Sequence, residues 1–417
     1  MSVTVLKGTI VSAPRPGEPD ITENGFLVAE DGCIVGVFPE LPQQYAAAPV
    51  EDFGDALILQ SFADLHLHAP QYPMLGTGMD LPLLDWLNIH TFPLEARFAD
   101  PDYARETYRA LAKELISLGT TRVCMFSSLH ADATLILMEE LEAAGVTGYV
   151  GKVTMDRNAA PGVLEETTEE SMSETLRWLE GCSKFRYVKP MLTPRFIPSC
   201  TDEVMAFLGE LVRERGLPVQ SHLSENDKEI EWVKELHPDC TRYWEAYAKF
   251  GLWTDRTVMA HCIWSDEVER KEMKDTGVTV VHCAGSNANV CSGVAPVRKM
   301  LDEGLKVTLG SDIAGGDQLN MFDVIVTTIR TSKFVYMHDN KQTPYLTVPE
   351  GWYLATSAGA EFFGEKPGFA PGNPLHCLVL ADDTLPPLTA DQRFERCIYR
   401  RQEDAIRAVW SAGRRVL

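Results

Sequence analysis

The sequence predicts an α/β fold, a (β/α)8 barrel of the TIM type with a small β-sandwich domain built from the N- and C-terminal segments. Three observations predict it. Apolar runs of strand length alternate with helix-like stretches through the middle of the chain. Both ends of the chain read instead as short strands, and histidines and an aspartate follow several of the apolar runs.

The two ends carry the small domain. Residues 1–60 read as short strands separated by turn signals such as Pro14-Arg15-Pro16-Gly17. Residues 366–417 look alike, with candidate strands at Cys377–Leu380, Cys397–Tyr399 and 408–410. Because neither piece could close a core alone, we expect them to fold together as one β-sandwich.

Residues 61–365 carry the barrel. Eight apolar runs are its candidate strands: 56–68, 121–126, 147–153, 187–192, 218–222, 257–261, 279–283 and 307–310. Helix-like stretches separate them: 101–118, 133–144, 164–179, 202–215, 227–250, 266–276 and 294–303. This alternation places an active site at the carboxyl ends of the strands. Residues 69–99 and 313–350 are read as long loops over that face.

Composition narrows the class of protein. The 417 residues are 45% hydrophobic and 24% charged, as in a globular protein, and the formal net charge is −22. That charge argues against nucleic acid or an anionic membrane surface as a partner. The ten cysteines form no C-x-x-C pair, and the first residues lack a signal-peptide pattern. We therefore expect a cytoplasmic protein with reduced thiols.

Imidazoles and a carboxylate at the ends of separate strands suggest one divalent metal. His66 and His68 alternate on one strand and so share a face, while His222 and Asp312 follow two other apolar runs. This mixed nitrogen and oxygen set suits Zn²⁺, with Fe²⁺ as an alternative. A metal held there lowers the pKa of a bound water towards about 7.

Three residues are candidates for catalysis. Asp312 could bind the metal and also accept the proton of the water. Glu225, three residues after a ligand, could shuttle protons to the leaving group, or could be a carboxylate at a helix N-terminus. His261 could hold the nucleophile or polarise the substrate, with a fourth nitrogen ligand as the alternative. A two-metal site would need a bridging group such as Lys189, which lies well before the end of its strand.

These residues, in this order, resemble the signature of the amidohydrolase superfamily. Within that superfamily the chain resembles the guanine deaminase family. The narrower resemblance lies in Asp64–Tyr72, Gly76–Leu87, Thr91–Phe98, Lys189-Pro190, Thr193–Phe196, Ser221–Asn226 and Gly310–Gly316. It implies deamination of guanine to xanthine and ammonia, one zinc ion per chain and a homodimer. It also implies a set of substrate-binding residues: Gln71, Arg195, Phe196, His222, Glu225, His261 and Asp312.

One departure and two other functions remain open. Ala284-Gly285 stands where the family pattern leads us to expect Pro-Asn, which could alter the shape of the pocket. A related aminohydrolase could act on another heterocycle, such as 8-oxoguanine, a triazine or a pterin. An inactive barrel kept as a scaffold is the more distant alternative.

Overall fold

The computed structural model describes residues 2–382, 387–400 and 405–417 and confirms the α/β class. Its strands β1 to β17 are Val3–Arg15, Glu18–Glu30, Cys33–Phe38, Val50–Gln60, Phe62–His68, Thr120–Phe126, Thr147–Gly151, Val153–Thr154, Val188–Pro190, Thr193–Pro194, Val219–Leu223, Thr257–His261, Thr279–His282, Lys306–Leu309, Cys377–Leu380, Ile406–Ser411 and Arg414–Arg415. Its helices α1 to α15 are Leu83–Trp86, Phe92–Glu95, Pro101–Ser117, Ala131–Ala144, Thr168–Gly181, Asp202–Arg215, Asp227–Leu236, Tyr243–Ala248, Glu267–Thr276, Ala284–Asn289, Val297–Glu303, Met321–His338, Val348–Ala355, Ser357–Phe362 and Ala390–Tyr399.

Strands from both ends of the chain lie in one seven-stranded sheet, in the order β17-β16-β15-β4-β1-β2-β3. Its centre is β4, which pairs in parallel with β1 and antiparallel with β15. Apolar side chains on one face, among them Ile58 and Val379, form a core of their own. The opposite face, including Leu57 and Leu59, packs into the main core of the chain.

The central strands form two parallel four-stranded sheets, β5-β6-β7-β9 and β11-β12-β13-β14. Hydrogen bonds join the two sheets at both edges. At one edge the amide of Gln220 donates to the carbonyl of Leu192 at 3.0 Å. At the other, the amide of Asp312 donates to the carbonyl of His66 at 2.8 Å. The carboxyl ends of all eight strands therefore open on the same side, where the candidate site lies.

Several predicted elements differ from the observed ones. The predicted strand Cys397–Tyr399 is wrong, because these residues end α15, a helix with a capping box between Thr389 and Gln392. The predicted helix 227–250 is two helices, α7 and α8, separated by a break that contains Pro238. The predicted loop 313–350 contains the 18-residue helix α12.

Other features follow the sequence closely. Helix α6 has the predicted bounds, and Gly216 ends it in the left-handed conformation, with φ 62°. All ten cysteines are free thiols. Within the part of the chain that the structure describes, no helix combines the length and apolarity needed to span a membrane.

Candidate active site

The predicted metal ligands converge at the carboxyl ends of the strands. His66 Nε2 lies 3.1 Å from Asp312 Oδ1, and His68 Nε2 lies 3.5 Å from the same oxygen. His68 Nε2 is also 3.3 Å from His222 Nε2. All four side chains are buried. The structure thus brings together residues from β5, β11 and the segment after β14, of which His68 and His222 are 154 positions apart in sequence.

The protonation chemistry of this cluster fits a divalent cation. Burial lowers the pKa of His66, His68 and His222, which favours neutral imidazoles with a free lone pair. His222 Nδ1 lies 2.6 Å from the carbonyl oxygen of Arg195, so it donates its proton there and leaves Nε2 free to bind. Burial alone would raise the pKa of Asp312, but His66 and His261 outweigh it and lower the pKa well below the usual range.

His261 also belongs to the cluster. Its imidazole nitrogen lies within 4.8 Å of ligand atoms of His66 and His222, and it forms a second group with Cys283 and Asp312. Its Nε2 is 3.7 Å from Asp312 Oδ2. A role as fourth nitrogen ligand therefore remains compatible with the geometry. Cys283 was not singled out from the sequence, where it is one of ten scattered cysteines.

Rigid packing and an unusual backbone hold the cluster. The ring of Phe126, at the end of β6, packs against His66, His68 and His222 with centroid distances of 5.0, 4.6 and 5.1 Å. His261 and Asp312 adopt positive φ angles of 70° and 49°. Such conformations are unfavourable for residues other than glycine and concentrate at functional sites.

Asp64 ties two of the ligand segments together. Its Oδ1 accepts hydrogen bonds from the amides of Ser311 at 3.0 Å and His66 at 3.3 Å. Its Oδ2 accepts the hydroxyl of Ser311. Burial raises the pKa of Asp64 to about 7. The side chain therefore fixes the end of β5 against the residue that precedes Asp312.

Glu225 lies beside the cluster without belonging to it. Its Oε2 is 3.5 Å from His261 Nε2, and its Oε1 accepts the hydroxyl of Ser292 at 3.1 Å. Burial raises the pKa of Glu225, so its carboxyl can hold a proton closer to neutral pH than an exposed one. His261 is oriented in turn by Asn287, whose Oδ1 lies 2.8 Å from His261 Nδ1. Burial would lower the pKa of His261, but Glu225 and Asp312 outweigh it and raise the pKa.

A single pocket opens over these residues. It is lined by eight of the predicted site residues: His68, Gln71, Arg195, Phe196, His222, Glu225, His261 and Asp312. Its other walls are largely apolar and come from Leu83, Leu84, Trp86, Leu87 and Val290. A mostly apolar cavity with a few convergent polar groups is typical of small-molecule sites. His66 lies beneath it, close to Asp312.

Gln71 and Arg195 are joined by a residue to which the sequence analysis gave no role. Gln71 Nε2 donates to Glu95 Oε1 at 2.9 Å, and Arg195 Nη1 donates to Glu95 Oε2 at 2.7 Å. All three side chains are buried. Glu95 lies on α2, inside the segment 69–99 that was expected to be a loop. No local signal in the sequence marks this residue, because its partner Arg195 lies 100 positions later.

Four other residues near the strand ends lie at different distances from the pocket and the ligands. Glu229, also in the pocket wall, accepts the amide of Glu225 at 3.2 Å and the hydroxyl of Tyr243 at 2.6 Å. Lys189 is exposed and donates to the carbonyl of Phe185, away from the ligands. His282, at the end of β13, lines a different cavity. Gly285 belongs to α10, which also carries Asn287.

Comparison with known proteins decides the family. Residues 57–410 match the amidohydrolase family. The chain belongs to the amidohydrolase family. Curated relatives within it include guanine deaminases of Dictyostelium discoideum, 37% identical, and Mus musculus, 40% identical. These alignments cover 86% of this chain in each case and 84% and 82% of the relatives.

A solved amidohydrolase structure agrees over the whole length. The chain is 41% identical to the guanine deaminase from C. acetobutylicum, which was crystallised with guanine bound in the active site. The TM-score is 0.97, and the alignment covers 100% of both chains. This similarity extends across the sheet built from the two ends as well as the central strands.

Proposed function

We propose that this chain is a guanine deaminase, which hydrolyses guanine to xanthine and ammonia. The observation that carries the proposal is the pocket itself. It joins the metal-binding cluster to a buried carboxyl, Glu225, and to Gln71 and Arg195, which offer hydrogen bonds to a polar ring. Identity to named guanine deaminases over most of the chain supports the same substrate.

His66, His68, His222 and Asp312 would hold one divalent metal ion, which we propose is Zn²⁺, with Fe²⁺ as the alternative. When bound, such an ion supplies an activated water near neutral pH. The neutral imidazoles and the ionised carboxylate described above are the forms that a cation requires.

The protein's own residues move protons and orient the ring. Glu225 takes a proton from the attacking water and returns it to the substrate as oxygen adds to the amino-bearing carbon. The proton left on the added oxygen then passes to the amino nitrogen, again through Glu225, the bond from that nitrogen to carbon breaks, and ammonia leaves. His261, fixed by Asn287, polarises the reacting group beside Glu225. Arg195 and Gln71 hold the purine edge, and Phe196 provides a stacking face.

We also propose how the chain is divided into domains. Residues 61–365 form a (β/α)8 barrel, and residues 1–60 with 366–417 form a β-sandwich domain. The hydrogen bonds at both edges of the central sheets support the barrel. The homodimer and the cytoplasmic location stay predictions.

The decisive experiment follows guanine absorbance and ammonia release with the purified protein, alongside Glu225→Gln. Guanine turnover in the wild type and its loss by several orders of magnitude in the variant support the proposal. Turnover of 8-oxoguanine, a triazine or a pterin with no turnover of guanine would contradict the substrate. Full activity of Glu225→Gln would remove its role in proton transfer. A protein that purifies without about one bound metal per chain would favour the scaffold.

A further inference from the structure

The strongest feature outside the proposed chemistry is the buried carboxylate Glu95. It is 4% exposed and lies between two residues that face the pocket, Gln71 and Arg195. Glu95 itself does not line the pocket. Any effect of Glu95 on a bound substrate therefore passes through those two neighbours.

We propose that Glu95 is a positioning residue that sets the substrate specificity of the pocket by fixing the hydrogen-bonding pattern of Gln71 and Arg195. This inference rests on the proposed function. An ionised carboxylate has two acceptor oxygens and no donor, and here each oxygen receives a different side chain. Aspartate, the other carboxylate, is one methylene shorter, and glutamine offers only one acceptor oxygen.

The first consequence concerns Gln71. Its Oε1 accepts the amide of Ala314 at 3.0 Å while its Nε2 donates to Glu95. Both ends of the amide are therefore committed, and a flip would set N–H against N–H at Ala314 and oxygen against oxygen at Glu95. Gln71 consequently presents one fixed order of donor and acceptor to the pocket.

The second consequence concerns Arg195. Its guanidinium is held by Glu95 and lies over the ring of Phe92, with 5.3 Å from Cζ to the ring centroid. Phe92 and Glu95 begin and end the same short helix, α2, so one element holds the guanidinium from two directions. The remaining N–H groups of Arg195 can only donate, which suits a purine with an acceptor oxygen at position 6 and opposes an amino group there.

Glu95→Gln tests this directly, because the new amide has a single acceptor and must turn its NH₂ towards one of the two donors. We expect the KM for guanine to rise roughly 10- to 100-fold, with kcat changed less than about threefold. The second readout is competitive inhibition by 2,6-diaminopurine, which carries an amino group in place of the oxygen at position 6. Its inhibition constant divided by the KM for guanine should fall at least about tenfold in the variant.

Glu365→Gln is the matched control. Glu365 Oε2 pairs with Arg122 Nη1 at 2.7 Å, the same distance as the Glu95–Arg195 pair. Arg122 is buried, the Glu365 side chain is only 9% exposed, and neither residue lines the pocket. An equal rise in KM in this control would show a general effect of losing a buried ion pair and overturn the inference. An unchanged KM in Glu95→Gln, or a lower kcat alone, would also overturn it.

Two further variants keep the test decisive. Glu95→Asp retains the charge but shortens the side chain, and the same criteria apply to it if Glu95→Gln does not fold. In the Arg195→Gln background, Glu95→Gln should lower kcat/KM by a smaller factor than it does in the wild type, because the part of its effect that acts through Arg195 is already lost. Wild-type protein that fails to deaminate guanine would instead contradict the proposed function, which separates the two failures.

Discussion

Asp64 provides the sharpest test of how the metal cluster is held. Replacing it with alanine removes the acceptor of three donors, namely the amide and hydroxyl of Ser311 and the amide of His66. The site is fully buried, so water does not replace the lost acceptor. An unsatisfied buried donor destabilises by about 1–3 kcal/mol, and three of them by roughly 3–6 kcal/mol after partial relaxation.

The matched variant is Asp64→Asn. Its amide oxygen can still accept from the amides of Ser311 and His66, and the hydroxyl of Ser311 can rotate to accept from the new NH₂. We therefore expect Asp64→Asn to unfold within about 2 °C of the wild type. Asp64→Ala should unfold at least about 5 °C lower, because several kcal/mol are lost in a chain of this size.

The assay combines thermal unfolding with metal analysis of protein purified under identical conditions. Because Asp64 fixes the backbone next to His66 and Asp312, Asp64→Ala should retain less than half of the metal found in Asp64→Asn. Equal metal content and equal unfolding temperatures in the two variants would refute the reasoning. That result would show that backbone pairing between β5 and the segment after β14 holds the ligands without the carboxylate.

Three further predictions follow from the same structure. Asn287→Ala should lower kcat about 10- to 100-fold without loss of metal, because His261 loses its orienting partner; unchanged kcat would contradict this. Removal of metal by a chelator should lower the unfolding temperature, and Zn²⁺ at about 100 times its Kd should restore about 2.7 kcal/mol. Burial, with Arg122 nearby, holds the pKa of His376 well below 6.5 in the folded protein, so its contribution to stability is present above about pH 6.5 and is lost as the pH falls. His376→Gln should therefore flatten the fall of the urea midpoint between pH 6.5 and 5, and an unchanged slope would contradict it.

The sequence predicts which histidines and aspartate come together in the cluster, because each of them is marked locally. His66, His222 and Asp312 each follow an apolar run, and parallel strands deliver their carboxyl ends to one side. Helix α6 is predicted to the residue because Thr201 caps its start and Gly216 ends it. Such signals need only a few neighbouring residues to be recognised.

The remaining features depend on partners distant in sequence. Glu95 has no local signal, because its partner Arg195 lies 100 positions later. The short run Cys397–Tyr399 suggested a strand, since three residues cannot show the helical spacing that Arg393, Phe394, Cys397 and Ile398 reveal together. Helix α12 was likewise included in the predicted loop 313–350. It does not lie between two of the central strands, so the alternation of strand and helix does not mark it.

The sheet built from both ends of the chain has a consequence for synthesis. Strand β4 carries Leu57, Ile58 and Leu59, and one of its two neighbours, β15, begins only at Cys377. Until that region leaves the ribosome, β4 has an unpaired edge rich in apolar residues, which invites pairing with another chain. Expression at low temperature or with a chaperone should therefore raise the yield of folded protein. The gain should exceed that from substitutions that only stabilise the native state.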